Sequence, residues 1–216
     1  MKTYIWDIPL RLFHGLLFIL VSLAWFSVEI LDDLELHFLC GYAILGLMIF
    51  RLVWGMVGPE HARFKGFVVG PTAIKRYLQG HYGEYRGGHT PLGALSVVFL
   101  IGAISAQAVS GLFSDDEYYF FGPLNRFVSS DVVDLLSAFH LFNVDVLFIA
   151  IGLHLLAIAY YEFFKKERLT LAMLTGYKRD TEKKFTAIRH SNMGLAIVIA
   201  LISAAIAAGI ASLEAS

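Results

Sequence analysis

The chain is poor in cysteine and in charge. Cys40 is its one cysteine among 216 residues, so no intrachain disulfide, Cys-rich metal cluster or C-x-x-C-H thioether attachment can form. Only 16% of the residues are charged, against roughly 25% in an ordinary soluble domain. There is no nucleophile motif, no phosphate-cradling loop and no large basic domain, which leaves hydrolases and nucleic-acid binders without a foundation. Internal repeats and low-complexity segments are also missing, apart from a last apolar stretch rich in Ala and Ile. What fills the chain is apolar: 57% of its residues are hydrophobic and the mean hydropathy is +0.66. That balance belongs to a multi-pass membrane protein.

Five stretches reach the roughly 20 apolar residues that a helix needs to cross a bilayer. They lie near 9–30, 36–57, 92–113, 133–164 and 192–213. Ser22-Leu23-Ala24 has the look of a signal cleavage site, but Asp7, Arg11 and His14 interrupt the early part of this stretch. It reads as a retained span. Of the 17 Lys and Arg residues, Arg126 alone falls in the first or third connection, which carry Asp32, Asp33, Glu35, Asp115, Asp116, Glu117 and Asp131. The basic residues gather at the N-terminus, at Arg51 to Arg86 and at Lys165 to Arg189. The positive-inside rule therefore predicts a cytoplasmic N-terminus and an outer C-terminus.

Between the spans, Pro71 opens a short amphipathic segment through Leu78, with Ile74, Tyr77 and Leu78 set against Lys75 and Arg76. This predicts an interfacial helix. Gly80, Gly83, Gly87 and Gly88 loosen the chain beyond it, and Tyr118 to Phe121 read as an interfacial aromatic belt. The last span has neither charge nor histidine, and its small residues suit close packing against another helix.

Four histidines carry the chemistry. His140 and His154 stand fourteen residues apart on one apolar stretch. That spacing returns a helix to nearly the same face after about 21 Å. Val144, Leu147 and Ile151 lie between them on that face. His14 lies early in the first span and His37 opens the second. With the N-terminus inside, depth pairs His14 with His154 and His37 with His140. A lone intramembrane histidine is more often interfacial or hydrogen-bonded than a ligand. Four at two matched depths point instead to two six-coordinate irons that pass electrons. The step of about 21 Å prevents all four from converging on one zinc tetrahedron. Gly15, Gly41 and Gly152, near three of the histidines, offer the low side-chain volume that a flat macrocycle needs.

The chain resembles the prokaryotic cytochrome b561 family, itself related to the b-type cytochrome subunits of nickel–iron hydrogenases. The matching stretches are Trp6-Asp7-Ile8-Pro9-Leu10-Arg11-Leu12-Phe13-His14, then Leu36-His37 with Gly41-Tyr42, and Arg51-Leu52-Val53-Trp54-Gly55. Gly58-Pro59-Glu60-His61-Ala62-Arg63-Phe64, Phe139-His140 and Gly152-Leu153-His154 complete the set, and the likeness covers about residues 3–178. It implies an all-α membrane protein: a four-helix bundle over 1–178, with 179–216 as linker and added fifth helix. It implies two non-covalent b haems with the four histidines as axial ligands. It also implies an electron-transfer protein or quinone oxidoreductase of the bacterial inner membrane. Quinone would stand on one side, and a periplasmic c-type cytochrome or peripheral enzyme subunit on the other. Gly15 stands where the family often has Trp, and the fifth helix lies outside the common core.

Arg51 and Arg11 are candidates for pairing with haem propionates, since guanidinium matches carboxylate geometry. Arg63 reads as a positive-inside residue. His61 reads as a solvated loop histidine, with a quinone pocket or proton delivery as its functional alternative. His81, His89 and His190 read as surface residues. Asp145, about 140° around the helix from His140, reads as hydrogen-bonded to a group on another helix, the alternative being proton transfer. Two rival functions stay open: a haem-bearing anchor for a peripheral redox enzyme without quinone turnover, and a non-haem transporter.

Overall fold

The computed structural model describes residues 2–80, 90–115, 121–179, 188 and 191–213. The glycines at 83, 87 and 88, the histidines at 81, 89 and 190, the acids at 116 and 117 and the aromatics at 118–120 lie outside the described residues. Five helices are long and apolar enough to cross a membrane: α1 (Ile8–Glu29), α2 (Leu34–Val57), α5 (Pro91–Gly111), α6 (Ser130–Phe163) and α8 (Met193–Ala211). Each begins and ends within three residues of its expected limits. Short helices α3 (Phe64–Phe67), α4 (Pro71–Leu78) and α7 (Leu169–Thr175) lie between them, so the all-α reading holds and the amphipathic helix opened by Pro71 is present. The described residues also form a pair of three-residue strands, β1 (Lys2–Tyr4) and β2 (Tyr177–Arg179), antiparallel with Thr3 opposite Lys178.

By its contacts the chain divides into two compact units. One comprises Met1–Leu12, Arg51–Leu100 and Ala150–Ala196; the other comprises Phe13–Phe50, Ile101–Ile149 and Ile197–Ser216. The segment after residue 178 contributes to both.

In the first unit the strand pair is anchored by Gly176, which ends α7 with φ +85° and donates its N–H to Ala172 O at 2.8 Å. Its carbonyl accepts from Ile5 N at 2.9 Å and Trp6 N at 3.2 Å. A side chain there would be strained by the left-handed backbone and would also meet Trp6 O at 2.8 Å, so glycine is required. Ile188 N donates to Tyr4 O at 2.9 Å, tying the later linker to the same edge. Tyr77 of α4 and Tyr161 of α6 share a hydroxyl hydrogen bond of 2.6 Å. This holds the amphipathic helix by its half-buried side while Lys75 and Arg76 stay exposed.

In the second unit α8 packs on α2. A Cβ at Gly46 would touch Ala207 Cβ at 3.5 Å and Ser203 O at 3.6 Å. Within this unit Ser203 and Ala207, four residues apart, are buried on one face of α8, and Ile202 and Ile206 are exposed. Hydrocarbon offers no water to expel, so helices there associate through such close van der Waals contact between small residues. The small-residue composition of the fifth span thus has a packing role. Cys40 is buried in α2 and free.

Candidate functional site

The second unit brings two of the four histidines together. His37 on α2 and His140 on α6 face one another with ring centroids 6.4 Å apart and planes at 84°. Each ring is steered from behind by a carbonyl. His37 Nδ1 lies 2.8 Å from Ala24 O on α1, and His140 Nδ1 lies 3.0 Å from Gln107 O on α5. A carbonyl can only accept, so each Nδ1 carries the proton and each Nε2 keeps its lone pair. Ser110 Oγ, 3.1 Å from the same Nδ1, adds a second contact on His140. This is how ligating histidines are ordinarily oriented.

The spacing suits a shared metal. Two imidazoles that shared one metal, each about 2.0 Å from it with the ring centre about 1.1 Å further, would have centroids roughly 6.2 Å apart. The observed separation of 6.4 Å is compatible with that. A Cβ at Gly41 or at Gly15 would meet nothing within 4 Å, as a slot for a flat group requires. Among the described residues, no three His, Cys, Asp or Glu side chains gather into a cluster that could hold a metal ion.

Sequence reasoning missed the supports of this pair. Gln107, Ser110 and Gly111 all lie on α5, a span without histidine. A Cβ at Gly111 would stand 2.9 Å from His140 Cε1, so only glycine lets the ring sit where it does. Asn143, one turn after His140, is buried and donates to Ala103 O at 3.0 Å and Gln107 Oε1 at 2.8 Å. The usable signal was Gln107 itself, an uncompensated amide in an apolar run.

Asp145 corrects an expectation. Among the described residues it makes no bond to another helix, and it is exposed, whereas Asn143 nearby on α6 bonds to α5. The cause is helical phase, since two residues turn the helix by about 200° and so reverse the direction. A carboxylate left at the centre of a bilayer-spanning helix costs about 2.5–3.5 kcal/mol on insertion scales.

Of the other pair, His14 is exposed on α1 and His154 is half-buried on α6. The first unit holds a second polar cluster. Asp7, fully buried, accepts from Trp54 Nε1 at 3.0 Å and Ser191 Oγ at 3.1 Å through Oδ2, and from Leu10 N at 3.4 Å through Oδ1. Burial pushes its carboxyl above the ordinary 3.8, and these three hydrogen bonds pull it part of the way back. Arg51, 3% exposed, is attracted by that carboxyl and lies 4.6 Å from the centre of the Phe64 ring. Its Nη1 is buried without a hydrogen-bond partner among the described residues. Gly55 lets Phe64 close over the guanidinium, because a Cβ there would overlap the ring and stand 2.7 Å from Nη1.

Arg11 is engaged elsewhere. Its Nε donates to Met173 O at 3.1 Å and its Nη2 to Leu174 O, carbonyls of the last turn of α7. A cation at a helix C-terminus is favourably placed. His61 is a second correction. It is buried at 3% exposure, not solvated, because the 58–63 turn folds back through Ala62 N to Pro59 O at 2.9 Å. Arg63 is exposed.

Comparison with known proteins gives two matches. The family described as prokaryotic cytochrome b561 matches residues 5–176. The probable superoxide oxidase CybB of Yersinia pestis is 26% identical over 173 residues, covering 74% of this chain and 90% of that protein. No solved structure matches.

Proposed function

The chain belongs to the prokaryotic cytochrome b561 family, and from that membrane electron-transfer role we propose a di-haem conduit between a quinone pool and a periplasmic redox protein. The observation that carries it is the His37–His140 apposition at 6.4 Å, with both Nδ1 atoms committed to carbonyls. His37 and His140 would hold one b haem through Nε2, and His14 and His154 would hold the other, the latter pairing resting on matched depth along the spans. Haem held by two histidines would supply one-electron exchange.

The chain's own residues set the conditions for this. Gln107 and Ala24 fix the two ring orientations and tautomers. Gly41 and Gly15 leave room beside the ligands. Arg51 presents a desolvated cation, its Nη1 unspent, to a propionate, as guanidinium suits carboxylate. Arg11, already bonded to α7, stands as the weaker propionate partner. The orientation is N-terminus inside, in the bacterial inner membrane, with residues 1–178 as the haem-binding part and 179–216 as linker and added helix. Exposed acidic residues at the outer end of α6, Asp131 and Asp134, attract a basic partner such as a c-type cytochrome.

The test is the reduced-minus-oxidised spectrum of purified protein with pyridine haemochrome quantification. Two b haems per chain with low-spin bands support the reading; none, after expression with ample haem, sinks it. Quinol oxidation by the isolated protein separates the conduit from an anchor subunit without quinone turnover. The relative's name favours a second electron donor, superoxide. Haem reduction by a superoxide-generating system, abolished by a dismutase, would identify it.

A further inference from the structure

The carbonyl behind His37 serves a second side-chain donor. Ala24 O accepts from His37 Nδ1 at 2.8 Å and from the hydroxyl of Ser27 at 2.8 Å. Ser27 is 0% exposed and Ala24 is 9% exposed, so water does not compete for that oxygen. Among the described residues, no hydrogen bond joins Ser27 Oγ to the ring itself. The backbone holds the two residues in one turn. Ser27 O accepts from Asp33 N at 2.8 Å, and Asp33 O accepts from His37 N at 3.2 Å. A hydroxyl fixed in this way draws on the same acceptor as the imidazole.

Serines in apolar helices commonly bond a carbonyl one turn back simply to satisfy the hydroxyl. Ser22 does so with Phe18 O at 2.8 Å, on the exposed side of α1. Ser27 differs because its carbonyl also orients a histidine. At His140 the arrangement is different again. Ser110 Oγ donates to Gln107 O at 3.1 Å and also lies 3.1 Å from His140 Nδ1. That hydroxyl draws on the shared carbonyl and accepts from the ring at once, and the two effects oppose. At His37 only the first operates. A carbonyl divided between two donors polarises each of them less than it would one alone. The more firmly the far N–H of a ligating imidazole is held, the more basic its ligating nitrogen becomes. A more basic axial nitrogen favours oxidised over reduced iron.

We propose that Ser27 is a positioning residue for electron transfer. By taking part of the Ala24 carbonyl, its hydroxyl loosens the hold on the His37 N–H. The haem of the His37/His140 pair then sits at a higher potential than the ring and its carbonyl alone would set. This inference rests on the assignment of a haem to that pair. Because Ser27 acts on one haem of two, it sets part of the difference in potential down which electrons run.

Redox titration of the full-length, haem-loaded protein, followed at its visible bands, tests this. Ser27→Ala orphans no polar group, because Ala24 O keeps the His37 N–H, so the haem-to-protein ratio should match wild type. At fixed ambient potential the ratio of reduced to oxidised iron should fall about threefold in one haem, roughly 28 mV at 59 mV per tenfold. The other haem should not move. Ser27→Thr keeps a hydroxyl able to bond one turn back, and should titrate as wild type. Ser22→Ala removes the same kind of bond about 140° around α1 from Ser27 and should shift neither haem. The proposal is overturned, with the haem assignment intact, by an unmoved or raised potential in Ser27→Ala. An equal shift in Ser22→Ala, or a Ser27→Thr variant that titrates like Ser27→Ala, overturns it too. Haem lost from Ser27→Ala would show the serine to be structural and also overturn it. A wild-type chain without haem would remove the assignment and the proposal together.

Discussion

Trp54 donates its indole N–H to the carboxylate of Asp7 across 47 residues of sequence, at 3.0 Å, where Asp7 is wholly shielded from solvent. The same oxygen accepts from Ser191, two residues before α8 begins. One side chain thus ties together the start of α1, the end of α2 and the approach to α8. Asp7→Ala strips the nearby buried Arg51 of its counter-charge and orphans the Trp54 and Ser191 donors. Leaving buried donors without their acceptor typically costs about 1–3 kcal/mol, so a loss of about that size is expected in thermal unfolding. A loss below about 1 kcal/mol would show the cluster to be incidental.

The same residue gives a pH dependence with a definite sign. Burial raises the Asp7 carboxyl above its ordinary 3.8, so the folded chain holds this proton more tightly than the unfolded one. Its linkage favours the fold fully below 3.8 and is lost as the pH rises through the raised folded value. The stability of the wild type relative to Asp7→Asn should therefore grow as the pH is lowered from neutrality. A difference that shrinks on acidification would contradict the assigned direction.

Replacing His37 or His140 by Ala should halve the haem content from two per chain to one, measured by pyridine haemochrome, and leave the other haem spectrum intact. Unchanged stoichiometry in either variant would dissolve the proposed pairing.

Gly111→Ala tests the fit behind His140. The added methyl would stand 2.9 Å from Cε1 of the ring, so the imidazole must tilt or α5 must move. Overpacking of this kind costs roughly 1–3 kcal/mol. The expected signature is weaker retention of one haem on heating, with a shifted midpoint potential. A variant indistinguishable from wild type by both readouts would mean that the ring has slack.

Asn143→Leu removes its two hydrogen bonds to α5 and leaves Gln107 Oε1 and Ala103 O short of a partner. A destabilisation of about 1–3 kcal/mol is expected. Because Gln107 also presents its carbonyl to His140, the loosening should reach the His140 haem first. Equal loss of both haems would point to general unfolding.

The spans were legible because each is a long uninterrupted apolar run, and α4 because Pro71 opens a short amphipathic turn. The strand pair was not: three residues are too few to show alternation, and the two strands lie on opposite sides of four of the five spans. Asp145 was misjudged and Asn143 passed over. Hydropathy locates a helix without fixing its rotation, so which of two nearby polar residues faces inward was open until α5 was in place. Ala24 and Gln107 act on the histidines through backbone carbonyls, which no side-chain pattern announces. Gly111 could not be distinguished by letter from the many glycines that merely pack.

The pairing of β1 with β2 also has a consequence in time. Thr3 finds its partner in Lys178, about 175 residues further along. At 5–20 residues per second of synthesis, the first strand waits roughly ten to thirty-five seconds for the second. α1 has by then left the ribosome, while β1 still lacks its neighbour. The strand pair can close only after four of the five spans have been made, so it is a late clasp on the nascent chain, and a ribosome stalled before residue 177 would leave it open.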